Sequence, residues 1–313
     1  MKIHEAIVVG SGLSAIGAIK GLVERGLKPL VLDIGIRLPE DARKIQSELS
    51  KKDPAEWSPD QRDKLSFNPS NTKSLFSIPK KLNFGSDYFY AKPTKESPIN
   101  AIKIFPPLSF AMGGLAEGWG SASMPPARSD VKDWPVSYEE LIHYYKLSIS
   151  SEFFSGSVDQ LASEFPILHP DPKTSELSNY DNYLLEKLTK ITSNSEDILC
   201  GRARLLLNLD SSSSKHCRNC GECMSGCVFG SIYKPSFEIQ TLIDLKKVDY
   251  LNECEVIKIS KEDNLYKLHY YSQDKSSYDS ILTKKVYLAA GAVNSSRILM
   301  NSIEFKGPVK LKS

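Results

Sequence analysis

The sequence has no apolar run close to the roughly 18 residues that a helix needs to cross a bilayer, which argues against a membrane span. Neither sign of charge dominates. Its 40 basic and 38 acidic residues are spread along the whole chain for a net charge of +2, so no concentrated field points to a polyanion and nucleic acid is not expected as a partner. Cysteine is scarce, six in 313 residues, and four of the six fall between Cys217 and Cys227. Such crowding excludes a distributed disulfide framework and fits a metal site in a reducing compartment. The amino terminus enters a strand-like segment almost at once, leaving no room for a cleaved leader, so the expected location is the cytoplasm. No internal repeat is visible. What is present, 41% hydrophobic and 25% charged residues, suffices for a packed core.

Along the chain, residues 3–9 predict a buried strand, 13–25 a helix with small residues on one face, and 29–32 a second buried strand, a βαβ opening. From 39 to 98 the composition turns polar and reads as an insertion with one short helix. Order returns at 102–106 and runs into a glycine-rich stretch at 112–123. Ser137 is an N-cap candidate, followed by Glu139 and Glu140 at the positive end of a helix dipole, and 183–191 has the pattern of another amphipathic helix. Strand-like segments at 248–251, 255–260 and 266–271 suggest an antiparallel meander. Residues 285–290 predict a further buried strand, with a helix through Met300.

The turn after the first strand reads Gly10-Ser11-Gly12-Leu13-Ser14-Ala15, a G-x-G-x-x-A pattern, and Asp33 ends the second strand 21 residues beyond Gly12. Gly10 permits the tight strand-to-helix turn, Gly12 lets backbone approach a pyrophosphate, and Ala15 lets helix pack on strand. The helix N-terminus offers free N–H groups and partial positive charge. Asp33 is placed to accept hydrogen bonds from an adenosine ribose, and its charge opposes a 2′-phosphate. The long interval before the small-residue strand end at Leu288-Ala289-Ala290-Gly291-Ala292 favours FAD over a nicotinamide cofactor.

Residues 217–227 form a C-x2-C-x2-C-x3-C run, Cys217, Cys220, Cys223 and Cys227, the spacing of ferredoxin loops that wrap an iron–sulfur cluster. Zinc and a metal-free reading stay open, as does a ligand drawn from Cys200 or Cys254. Structural zinc more often pairs two C-x2-C knuckles a dozen or more residues apart.

Three further motifs make the chain resemble the glucose–methanol–choline oxidoreductases. Met112-Gly113-Gly114-Leu115-Ala116-Glu117-Gly118-Trp119-Gly120 is similar to the family's glycine-rich loop against the flavin. Asp133-Trp134-Pro135-Val136-Ser137-Tyr138 is similar to its W-P-x-S-Y helix start, and residues 286–299 to its late A-A-G-A strand and helix. The resemblance covers residues 3 to about 301. It implies FAD held by Gly113, Gly114, Leu115, Trp119, Gly120, Ala290 and Gly291, besides the opening glycines, with backbone at Val256 holding the adenine. Cys217, Cys223 and Cys227, followed by Phe229-Gly230-Ser231-Ile232-Tyr233, also resemble the three-iron cluster stretch of related flavin-dependent sugar dehydrogenases. Cys220 is the extra ligand that leaves three-iron against four-iron open.

The family's active-site histidine segment has no counterpart after Asn301, so no catalytic residue is assigned and the catalytic carboxyl-terminal part is expected to be missing. The expected fold is a doubly wound, Rossmann-like α/β FAD domain with an inserted meander and cysteine loop. It divides into a first βαβ (1–38), a polar insertion (39–101), a flavin-contacting loop with helices and cysteine loop (102–247), and the meander with return strand and helix (248–313). The expected function is a dehydrogenase acting on a CH–OH group of an alcohol or sugar, hydride passing to flavin and electrons leaving through the cluster to a protein or quinone acceptor. The alternative is an incomplete fragment, or an FAD and iron–sulfur subunit needing a second polypeptide.

Overall fold

The structure, a computed structural model, describes residues 2–65, 81–100, 107–149, 153–195 and 197–309. The expected order at 102–106 falls outside these residues. Two compact units form: Met1–Arg43, Phe67–Gly118 and Lys234–Ser313 make the first, and Lys44–Ser66 with Trp119–Tyr233 the second.

In chain order the elements are β1 (Ile3–His4), β2 (Ile7–Val9), α1 (Leu13–Glu24), β3 (Leu30–Leu32), α2 (Glu40–Leu49), α3 (Pro59–Leu65), α4 (Tyr138–Ile149) and α5 (Asn179–Thr192). Then follow α6 (Pro235–Asp244), β4 (Asp249–Leu251), β5 (Cys254–Glu262), β6 (Leu265–Ser272), β7 (Ser277–Thr283), β8 (Val286–Leu288) and α7 (Ala292–Ser302).

In the first unit β4-β3-β2-β8 make an all-parallel sheet with Val8 opposite Val31 and Tyr287. Both faces of β2 and β3 are buried, as their unbroken apolar runs require. Val8 and Val31 point to one side, into a core with Ile16 and Ile19 of α1 and Ile239 of α6. Ile7, Val9, Leu30 and Leu32 point to the other, where Val256, Leu268 and Tyr270 of a second sheet and Ile298 of α7 meet them. The two faces are therefore unlike: helices cover one, and a mixed sheet, antiparallel through β5-β6-β7 with β1 parallel to β7, covers the other together with α7, in place of the helices on both faces that a doubly wound fold expects.

Three differences from the sequence reading have physical causes. The expected single strand 3–9 is broken at exposed Glu5, with β1 pairing β7 in the second sheet and β2 entering the first. Residues 249–251 join the parallel sheet beside β3, because α6 precedes them and returns the chain as a crossover. The meander is instead β5-β6-β7, closed between its first two strands by a two-residue turn with Asp263 at φ +52°. The polar insertion holds α2 and α3, more helix than its composition suggested.

The second unit holds α3, α4 and α5 among loops. Ser137 and Ser178 accept N–H bonds from Glu140 (3.1 Å) and Asp181 (3.0 Å), capping α4 and α5. Buried Arg204 donates to both carboxylate oxygens of Asp159 at 2.8 and 3.2 Å. Burial works against the Asp159 charge, but Arg204, the Arg202 N–H and Ser157 together hold its pKa below the usual value.

Candidate cofactor site

The first unit encloses a cavity of about 380 Å³ at the carboxyl ends of the parallel strands, where open α/β sheets bind ligands. Chain leaving β2 reaches Gly10, whose φ of +98° and tight approach to the backbone of Ala289 and Ala290, just beyond β8, leave no space for a side chain. Gly12 is then the N-cap of α1 and makes no side-chain cap bond to its first-turn amides. Gly291, at φ +81°, lines the same cavity as the N-cap of α7, again with no side-chain cap bond of its own, while the preceding Ala290 amide donates to Ser295 Oγ at 3.1 Å. Two helix N-termini thus present free N–H groups and positive dipole ends to one space.

A third wall is the turn at Gly113 and Gly114. The Gly113 amide donates to Ser11 Oγ at 2.9 Å, and Ser11 Oγ in turn donates to Asp33 Oδ2. Tyr250 Oη donates to the same carboxylate oxygen at 2.8 Å. Burial pushes the Asp33 carboxyl up to about 6, a rise these hydroxyls and the Ile34 and Gly35 amides limit by favouring the charge. Beneath this turn Glu117, also raised by burial, accepts from Tyr88 Oη at 3.1 Å and lies 3.9 Å from Lys234 Nζ.

Of the residues singled out in the sequence, Gly10, Gly12, Leu13, Ser14, Asp33, Gly113, Gly114, Leu115, Val256, Ala290 and Gly291 line this one cavity. Ala15 does not. It is fully buried in the core under α1, the close-packing place expected of it. Trp119 and Gly120 belong to the second unit, where Trp119 Nε1 donates to the Tyr233 carbonyl at 2.7 Å. Sequence reasoning missed Ser11, Tyr250, Glu255, Asn294 and Arg297. Ser11 stood inside the glycine pattern as a variable position and Arg297 inside the late-helix motif of the family resemblance with no role given to it, whereas Tyr250, Glu255 and Asn294 carried no local signal.

Cys217, Cys220, Cys223 and Cys227 share one loop of the second unit, and none of them is in a disulfide. The Ser231 amide donates to Cys227 Sγ at 3.2 Å, and Cys217 Sγ donates to Asn219 Oδ1 at 3.6 Å. Burial raises the thiol pKa of Cys217 and Cys220, and the neighbouring cysteines add to it. Among the described residues no three His, Cys, Asp or Glu side chains are gathered as a metal-binding group. Cys200 lies in the second unit; Cys254 is buried in the first, its thiol pushed up to about 12 by burial.

No protein-family model and no curated protein matches the sequence. Solved structures do match the fold. Pyridoxine 4-oxidase from Mesorbium loti superposes with a TM-score of 0.51 at 13% identity, over 96% of this chain and 52% of that one. A fungal aryl-alcohol oxidase superposes with a TM-score of 0.53 at 12% identity, over 96% of this chain and 48% of that one. The chain spans about half the length of these structures. At such identities the likeness is one of fold.

Among the described residues, no helix is long and apolar enough to cross a membrane.

Proposed function

We propose that the chain holds FAD in the cavity of its first unit and serves a glucose–methanol–choline-type oxidoreductase acting on the CH–OH group of an alcohol or sugar. The observation that carries this reading is the meeting of two uncapped helix N-termini, at Gly12 and Gly291, in one glycine-walled space. A cofactor diphosphate suits it by charge and by room. A Cβ added at Gly12 would touch only the Gly113 carbonyl, at 3.8 Å, and one at Gly114 only the Gly12 Cα, at 3.6 Å. The fold leaves this cradle open, and a dinucleotide would fill it.

In that arrangement the α1 and α7 amides hold the diphosphate, and Asp33 accepts from a ribose hydroxyl through the oxygen that Ser11 and Tyr250 leave free. Bound flavin supplies the capacity to accept a hydride. The chain's part is to bind and orient it. The names of both structural neighbours, oxidases of an aryl alcohol and of pyridoxine, support the alcohol as substrate class.

An iron–sulfur cluster on Cys217, Cys220, Cys223 and Cys227, and with it a dehydrogenase passing electrons to an external acceptor, rests on the sequence spacing of the four cysteines. Among the described residues those thiols are not drawn into one ligand set.

The test is the absorption spectrum of the anaerobically purified chain after incubation with FAD and removal of excess. The two bands of an oxidised flavin, at one flavin per chain, are expected. A colourless protein overturns the reading. Iron and acid-labile sulfide measured on the same sample decide the cluster separately.

A further inference from the structure

A buried charged cluster stands behind the turn at Gly113 and Gly114 without lining the cavity itself. Glu117 is 4% exposed and Lys234 is 7% exposed. Glu117 Oε2 accepts from Tyr88 Oη at 3.1 Å and lies 3.9 Å from Lys234 Nζ, while Oε1 accepts from the Ser236 amide, in the first turn of α6, at 3.4 Å. The main chain of Glu117 is held too, its carbonyl accepting from the buried Asn83 Nδ2 at 2.7 Å. A Cβ added at Gly113 would run into Glu117 Oε1, so the carboxylate lies directly against the turn.

The donors to Glu117 from residues 83–90 belong to one segment, a tight turn in which Asn83 and Ser86 exchange main-chain bonds. Phe84 in that turn is 2% exposed and holds φ +53°, a left-handed conformation that a bulky side chain keeps only where its surroundings fix it. Its ring lies under Lys234 Nζ, 5.9 Å from the centroid. Phe89 packs so closely on Gly118 that a Cβ added there would enter the ring. Backbone strain and buried charge thus converge on Glu117, and through it on the turn. A buried ion pair is seldom more stabilising than apolar side chains of the same volume, so what this one supplies is a fixed geometry. The Gly113 amide is tied separately, to Ser11 Oγ at 2.9 Å, and Ser11 in turn bonds Asp33.

We propose that Glu117 is a positioning residue for the cofactor: with Lys234 as counter-ion and Tyr88 and the Ser236 amide as donors, its carboxylate sets the place of the Gly113–Gly114 turn, and so of the flavin nucleotide bound against it. This rests on the FAD reading above and deepens it. The effect passes through the main chain, because Gly113, Gly114, Leu115 and Ala116 line the cavity and Glu117 does not. Lys234 neutralises a carboxylate that would otherwise set a negative charge beside a site for a diphosphate.

Glu117→Gln keeps the shape and removes the charge. Titration of the full chain with FAD, at a temperature where far-ultraviolet circular dichroism shows the variant folded, is expected to give a dissociation constant at least about tenfold above that of the unaltered chain, the range for losing a hydrogen bond to a charged group. The visible circular dichroism of the bound flavin is expected to change with it. In Glu117→Gln/Lys234→Met the unpaired lysine charge is removed as well, so the melting temperature should recover while the weak binding and altered flavin signal stay. An unchanged dissociation constant or flavin signal in the folded variant overturns the proposal, as does recovery of both along with the melting temperature, which marks a purely structural role. If Glu117→Gln does not fold, Tyr88→Phe, which removes a single donor to the carboxylate, decides by the same two readouts. An unaltered chain that takes up no FAD removes the FAD reading as well, whereas one that binds FAD no better than its folded variants removes this inference alone.

Discussion

Gly10 and Gly12 stand two residues apart and answer to different neighbours. Gly10 has φ +98°, and an added Cβ would lie 2.6 Å from the Ala289 carbonyl oxygen, which is backbone and cannot turn aside. Gly12 is an ordinary helix cap with φ −74°, and its added Cβ would meet no protein atom closer than 3.8 Å. Gly10→Ala is therefore expected to cost about 1–3 kcal/mol of folding stability in urea titration, through strain at a left-handed position. Gly12→Ala should leave stability within about 0.5 kcal/mol yet weaken FAD binding about tenfold or more, because its methyl group enters the cradle. Unchanged FAD affinity in Gly12→Ala would place the diphosphate elsewhere.

Asp33 carries the second prediction at this scale. Its pKa is raised from an ordinary 3.8 to about 6, chiefly by burial. The folded state holds this proton more tightly than the unfolded chain, so the residue's contribution to stability is fully present at low pH and is lost as pH rises through about 6. The ligand-free chain should therefore lose stability relative to Asp33→Asn between about pH 4 and 6.5. Taking the difference between the two proteins cancels other titrations, including that of Glu117, which is raised in the same direction. A flat difference across that range would show that Asp33 stays ionised.

Elements were legible where their cause is local. The runs at β2 and β3 are apolar because both faces of the sheet are covered there, and the glycine pattern is visible because turn geometry is set within a few residues. The cap at Ser137 acts within three residues, so the start of α4 follows from sequence, whereas the pattern at 183–191 began four residues after the start of α5 at Asn179 and its cap at Ser178 was missed. Pairing is not local. Nothing in residues 3–9 says that Glu5 separates two sheets, and nothing in 249–251 names β3 as its neighbour. β7 was missed because Ser277, Tyr278 and Asp279 are exposed and its strand character comes from β6 and β1 on either side. The α5 pattern was visible, but Tyr183 and Ile191 on its apolar side are 57% and 74% exposed, so amphipathicity did not fix burial. The same division runs through the site. The glycines and Asp33 were readable from their turn, whereas Tyr250, Glu255 and Arg297 acquire their places only when distant strands meet. Spacing made the four cysteines conspicuous without fixing where their sulfurs point.

At the scale of the whole molecule, the cavity exists only when the two ends of the sequence are brought together. Val8 pairs with Tyr287, so β8 completes a sheet begun near the amino terminus. The same return supplies Ala289 against Gly10, the second helix N-terminus at Gly291, and Arg297. A chain ending at Thr283 keeps the opening glycines, Asp33 and the whole meander, but lacks β8 and α7. Ile7, Val9, Leu30 and Leu32 then lose Ile298 from the core they share. In the full chain, FAD at about 100 times its dissociation constant should add about 2.7 kcal/mol to unfolding stability, read as a rise in melting temperature. The chain ending at Thr283 should show no such rise, a broadened melting transition and no retained flavin after gel filtration. Flavin kept by the shortened chain would mean that the opening βαβ holds it unaided, and that the convergence of two helix ends is not what binds the cofactor.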